Sequence, residues 1–249
     1  MPIILKSRDE IAIMREAGRI VAQVLQLLVE CLRPGLVEKE LDEIVRREFA
    51  KRKVAPTFLG YLGYPATVCV SVNDEIVHGI PSEREIMDGD IVSIDLGCTY
   101  KGFVADTAVT VGVGNIRPQA QRLIEVTREA LERGIAAARA GGRLGGIGAA
   151  IQGFVEGQGF SVVREYVGHG VGRQMHEEPR VPNYGSPDSG PLLRPGMVLA
   201  IEPMVNAGDW HTKRDPDNWT VRTLDGSLSA HFEHTVAITD GEVATLTLP

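Results

Sequence analysis

Acidic residues stand inside apolar stretches where folding alone would favour hydrocarbon. Val92-Ser93-Ile94-Asp95-Leu96-Gly97 reads as a buried strand interrupted by Asp95, and Val104-Ala105-Asp106-Thr107-Ala108-Val109 is interrupted the same way by Asp106. Glu202 closes the apolar run Val198-Leu199-Ala200-Ile201, and Glu233 sits within His231-Phe232-Glu233-His234-Thr235-Val236. Gly168-His169-Gly170-Val171-Gly172 adds a histidine whose glycine neighbours leave the backbone free to present the ring. Taken singly, a strand carboxylate is ordinarily an edge charge or a hydrogen-bonded structural group. Taken together, Asp95, Asp106, His169, Glu202 and Glu233 form an oxygen-rich set with one imidazole. Four negative charges are balanced by two divalent cations, and such donors suit Co, Mn, Fe(II) or Zn better than a thiolate site would.

The elements that must bring these residues together follow from periodicity. Ser7-x-x-Glu10 is a capping box, and Ile13, Ala17, Ile20, Val21, Val24 and Leu28 continue it as a helix stopped by Pro34-Gly35. Leu41, Ile44, Val45 and Phe49 mark a second amphipathic helix, whose charged face reads simply as surface. Strands are expected over 67–72, 90–97 and 102–113, the last two joined by a hairpin at Thr99-Tyr100-Lys101-Gly102. A turn centred between Tyr100 and Lys101 sets Asp95 directly opposite Asp106, where like charges need a cation between them. Helices follow over 117–140, with Pro118 in the first turn, and over 144–158. Then come a strand at 160–164, a Gly/His-rich loop, a strand at 197–203, a long polar loop, and strands at 230–239 and 242–248. The order suggests two related helix-plus-sheet halves within a single α+β domain spanning 1–249, with helices covering a mainly antiparallel sheet.

Composition narrows the function classes. The 249 residues carry 26 Lys and Arg against 33 Asp and Glu, a net charge of −7, with no basic block. That disfavours nucleic acid and anionic membranes as partners. The three cysteines (Cys31, Cys69 and Cys98) form no C-x-x-C pair, which argues against a zinc knuckle or a disulfide framework. No apolar h-region follows the N-terminus and no run is long enough to span a bilayer, so a cytoplasmic protein is expected.

The chain resembles the type I methionine aminopeptidases in their short bacterial form. The resemblance rests on Tyr61-Leu62-Gly63-Tyr64-Pro65, Cys69-Val70-Ser71-Val72-Asn73, Val77-His78-Gly79-Ile80-Pro81, Asp95-Leu96-Gly97, Ala105-Asp106-Thr107-Ala108 and Gly168-His169-Gly170-Val171-Gly172. It continues through His176-Glu177-Glu178-Pro179, Ile201-Glu202-Pro203 and Ser227-Leu228-Ser229-Ala230 into Glu233-His234-Thr235. It implies the pita-bread fold and removal of the N-terminal methionine from nascent chains, near the ribosome, by a monomer using two divalent ions to activate water. Asp106 and Glu233 would bridge the ions, Asp95 would complete one, and His169 and Glu202 the other. Glu202 would also be the general base, His176 the oxyanion donor and His78 a substrate-positioning residue. Phe58, Tyr61, Tyr64, Cys69, Met175 and Trp219 would line the methionine pocket, with His78. The pattern departs at Phe58, where the family often has Cys, at Met175, where it usually has Phe, and at His231, where it has Gln. His231 is expected to share a face with Glu233, while His211 is expected to be uninvolved.

Three rivals predict other features. Proline-specific peptidases of the same fold usually carry an additional N-terminal domain. A non-catalytic binding module of this fold would tend to lose ligands. A dinuclear phosphoesterase would show Arg or Lys clamps beside the carboxylates.

Overall fold

The N-terminal helix starts at its capping box. In the computed structural model, which describes residues 2–249, α1 (Arg8–Cys31) follows Ser7, whose hydroxyl accepts from the Glu10 amide while the Glu10 carboxylate accepts from the Ser7 amide. A second helix, α2 (Glu38–Arg52), ends at Lys53 in the left-handed conformation. The short strands β1 (Ala55–Pro56), β2 (Cys69–Val72) and β3 (Glu75–Val77) follow. The long hairpin of β4 (Ile91–Tyr100) and β5 (Phe103–Gly112) comes next, then the helices α3 (Pro118–Ala137) and α4 (Gly145–Gly157). The remaining strands are β6 (Ser161–Val162), β7 (Gly168–Gly170), β8 (Glu177–Val181), β9 (Val198–Ile201) and β10 (Met204–Asn206). The chain closes with β11 (Thr212–Arg214), β12 (Val221–Thr223), β13 (Ser229–His231), β14 (Glu233–Ala237) and β15 (Ala244–Thr245).

The central sheet runs β1-β4-β5-β14-β9-β7-β8, with β2 paired to β4 and β15 to β14, and every pairing is antiparallel. This is the expected α+β architecture. One core packs α1 and α2 on β2, β4 and β5 through Val21, Leu28, Leu41, Phe49, Val70 and Ile94. A second packs α3 and α4 on β9, β10 and β14 through Leu123, Leu131, Ile147, Ile151, Leu199 and Val236. The two helical pairs therefore cover different parts of one sheet, leaving its other face to hold a site.

The hairpin register differs from expectation. Tyr100 pairs with Phe103, so the turn is Lys101-Gly102, both at positive φ (48° and 78°). Two left-handed residues make the tight turn that matches strand twist, and Gly takes that conformation without penalty. Asp95 consequently faces Ala108 and Asp106 faces Gly97. The two carboxylates are not directly opposed but displaced by two residues. A two-residue displacement preserves the face, so they still project from the same side of the sheet.

Three other boundaries move. The Gly/His-rich stretch expected as a loop contains β7, because Gly168 lets the chain lie against β9; a Cβ there would overlap the Ala200 carbonyl oxygen. The long polar loop after Pro203 holds β10, β11 and β12. The strand expected over 230–239 breaks at Phe232: β13 pairs with β10 and β14 with β9 and β5. His231 and Glu233 thus lie on different strands, not on one.

Candidate metal centre and substrate pocket

Strand pairing alone aligns the acidic residues. Cys69 on β2 faces Asp95 on β4, Asp95 faces Ala108 on β5, and Ala108 faces Glu233 on β14. Paired residues share a face, so these four form a row across the sheet. Asp106 lies two residues from Ala108 on that face. His169 on β7 faces Ala200 on β9, which faces Thr235, two residues after Glu233. Glu202, two residues beyond Ala200, completes the set. Asp95, Asp106, His169 and Glu233 therefore project from one side of the sheet, as the period-two rule requires, and Glu202, just past the end of β9, lines the same pocket.

Three threonine hydroxyls fix the backbone of Asp106, His231 and Glu233. Thr235 Oγ1 accepts from the Asp106 amide (3.0 Å) and donates to the Asp106 carbonyl (2.8 Å). Thr110 Oγ1 does the same to His231, accepting from its amide (2.8 Å) and donating to its carbonyl (2.8 Å). The Thr107 hydroxyl donates to the Glu233 carbonyl (2.9 Å), and Asn183 Nδ2 donates to the Glu202 carbonyl (2.9 Å). The side chains of the site are thus carried on a braced backbone rather than on free loops.

The electrostatics are those of a cation site. Asp106, His169 and Glu233 each offer a donor atom, and these atoms lie within 4.8 Å of one another. Asp95 Oδ1, Asp106 Oδ1 and Glu233 Oε1 are buried with no hydrogen-bond partner. Buried polar atoms in folded proteins are almost always paired, so three orphaned oxygens at one point call for a positive partner. Burial pushes the carboxyls of Asp95, Glu202 and Glu233 well above the usual range, and the neighbouring Asp106 charge adds to each. Burial raises Asp106 itself to about 7. Burial, with His176 alongside, pulls His169 down to about 3, leaving a neutral ring with a lone pair to offer. Carboxylates and a neutral imidazole in this arrangement fit a hard or borderline divalent ion.

A cavity of about 170 Å³ opens beside them. Its walls are Phe58, Tyr61, Leu62, Tyr64, Cys69, His78, Met175, His176 and Trp219, with Asp95, Asp106, His169, Glu202 and Glu233 at one end. Every candidate named from the sequence is brought here. The Tyr64 hydroxyl donates toward the Val68 and Gly79 carbonyls, and its ring meets Trp219 edge-on. Tyr61 Oη lies 2.7 Å from His176 Nδ1, and the His176 ring packs on His169 with centroids 4.3 Å apart. Burial lowers His176, and it lowers His78 to about 4, so both rings are neutral at pH 7. His211 lies elsewhere, stacked on Trp210 and bonded to Asp209. Leu62 is the lining residue that sequence reasoning did not single out. It is 81% exposed at φ 48°, next to Gly60 and Gly63, also at positive φ.

Residues 12–240 match the model of metallopeptidase family M24. The chain belongs to this family. The "Methionine aminopeptidase 1" of Bacillus subtilis is 54% identical over 238 residues, covering 96% of each chain. The crystal structure of the methionine aminopeptidase from Thermotoga maritima superposes with a TM-score of 0.98 at 46% identity, covering all of both chains. The prolidase from Pyrococcus furiosus superposes at 0.79 and 25% identity, but this chain covers only 66% of it. Within M24, then, this chain groups with the methionine aminopeptidases, and the pita-bread fold is the family fold.

Proposed function

We propose that Asp95, Asp106, His169, Glu202 and Glu233 hold two divalent cations, with which this hydrolase removes the N-terminal methionine from peptides and nascent proteins. The observation that supports this most is the shared cavity: an apolar pocket with the carboxylates at its end wall, three of them (Asp95, Asp106 and Glu233) carrying an orphaned oxygen. Asp106 and Glu233, with Asp95 on the hairpin and His169 and Glu202 from the C-terminal half, would be the ligands that hold them. When bound, the ions supply Lewis acidity at the scissile carbonyl and lower the pKa of water.

The chain's own residues do the rest. Phe58, Tyr64, Cys69, Met175, Trp219 and His78 enclose the methionine side chain. His78 meets Trp219 and Tyr166 edge-on, which fixes its ring against the substrate. Glu202, as general base, takes a proton from the attacking water. His176 directs Nε2–H at the developing oxyanion, because Tyr61 occupies its Nδ1. The native ion is Co, Mn, Fe(II) or Zn; the setting is the cytoplasm, close to the ribosome; and the enzyme works as a monomer.

Turnover of Met-Ala-Ser and Ala-Pro peptides, with and without chelator, tests the reading. Cleavage of Met-Ala-Ser alone, lost on chelation and restored by metal, is expected. Glu202→Gln and Asp106→Asn should each abolish turnover while leaving the circular dichroism spectrum unchanged. Cleavage of the proline peptide alone would overturn the specificity, and full activity in either variant would overturn the ligand assignment.

A further inference from the structure

One buried polar group beside the site has no assigned task. His231 is 2% exposed, and its Nε2 has no hydrogen-bond partner. The atom is aimed at Glu202: Nε2 lies 3.9 Å from Glu202 Oε2, while His169 Nε2 lies 3.5 Å from Oε1. The Glu202 carboxylate therefore floats between two imidazoles, one on each oxygen, with a formed hydrogen bond to neither.

The fold holds His231 there through its backbone. Met204 on β10 pairs with His231 on β13, which brings the ring beside Glu202, two residues before Met204. The Thr110 hydroxyl grips the His231 amide and carbonyl at 2.8 Å each, and the Ser93 hydroxyl lies 2.7 Å from Thr110 Oγ1. A hydroxyl has one proton and two lone pairs. Thr110 spends the proton on the His231 carbonyl and the lone pairs on the His231 amide and on Ser93. That fully satisfied clamp fixes His231 without using its ring, so the ring is free to serve Glu202.

We propose that His231 is a positioning residue for Glu202. A small closure of the 3.9 Å gap would let the His231 ring donate Nε2–H to Oε2, which leaves Oε1 on the side of His169. The inference rests on the metal reading above. It places His231 in the class of groups that orient a ligand without touching the ion, whose removal costs 10–100-fold in metal affinity.

The experiment uses full-length wild type, His231→Gln, His231→Phe and His231→Asn, stripped with chelator. Mn(II) binding is followed by calorimetry and Co(II) binding by visible absorption. His231→Gln retains an N–H at similar reach and should bind within about threefold of wild type. His231→Phe should lose 10–100-fold for the ion held by His169 and Glu202, with altered Co(II) bands and a fall in kcat larger than any change in KM. If His231→Phe does not fold, His231→Asn, whose amide is too short to reach, must show the same loss. Wild-type affinity and an unchanged Co(II) spectrum in the folded Phe or Asn variant would overturn the role of His231 alone. If wild type itself takes up no ion, the metal reading falls, and this inference with it.

Discussion

His176 shows how much a single ring depends on its neighbours. Tyr61 occupies one nitrogen, and His169 packs against the face. Replacing it by Ala should lower kcat by about 10²–10³ while leaving the fold intact, the range for losing one donor to an oxyanion. Single-turnover kinetics with Met-Ala-Ser would check this, and an unchanged chemical step would remove His176 from the reaction. At this scale the sequence was highly informative. Carboxylates inside apolar runs are costly, so they are rare enough to be noticed, and all five come to one place. Leu62 was invisible because an exposed leucine carries no chemical signal; only its left-handed backbone beside the cavity marks it. Thr110, Thr235 and Asn183 were equally silent, because their work depends on partners more than a hundred residues away, or on the Glu202 carbonyl across a loop.

Elements bring constraints that no single residue shows. Gly168 sits where β7 presses on β9, and Gly170 would drive a Cβ into the Glu178 carbonyl oxygen. Gly168→Ala should therefore displace His169 and weaken metal uptake more than its small volume suggests; calorimetric titration with Mn(II) measures it, and wild-type affinity would contradict the close approach. A second constraint ties the N-terminal segment to the loop carrying His176. Lys6 Nζ meets Glu177 Oε2 at 2.6 Å with both side chains almost fully buried (3% and 6% exposed), and Glu177 Oε1 accepts from the Arg173 amide at 2.8 Å. Lys6→Met strands a buried carboxylate and should cost ~3–5 kcal/mol in denaturant unfolding. Helices were legible because caps and 3.6-residue periodicity are local. The hairpin register was misplaced by one residue at its centre because the turn is decided by which residues accept positive φ, and Lys101 does so beside Gly102. The strands β10 to β12 are only three residues each, and β10 and β12 pair with strands distant in sequence (β6, β13 and β3), so nothing local announces them.

At the scale of the whole molecule, the site joins the two helical cores. Asp95 and Asp106 come from the hairpin beneath α1, whereas His169 and Glu233 come from strands in the C-terminal half and Glu202 from the residue that follows β9. A cation bound across them should stabilise the folded chain by ~2.7 kcal/mol at a hundredfold excess over Kd. Thermal unfolding with and without chelator reads this out. The pH dependence has a definite sign. Below about 7 the buried Asp106 carboxyl keeps its proton in the metal-free chain, so an incoming cation must displace it. Asp95, Glu202 and Glu233, raised by burial and by the Asp106 charge, hold protons against the cation in the same way, so affinity should climb with pH through 7; calorimetry in buffers of different ionisation enthalpy would detect the accompanying proton release, and a flat profile would exclude it. The duplicated order of helices and strands was readable from the sequence, but the way the halves share one sheet was not, because β5–β14 pairing has no sequence signature.

Space at the centre is made by the residues with the least to offer. Ala108 lies between Asp95 and Glu233, and Gly97 lies across from Asp106, where even a methyl would stand 3.3 Å from Oδ1 and 3.0 Å from the Phe58 ring. Enlarging Ala108 to valine would fill the space between the carboxylates while every donor stayed in place. A relative that kept all its acids and histidines but carried bulk at these two positions would be a peptidase in name only.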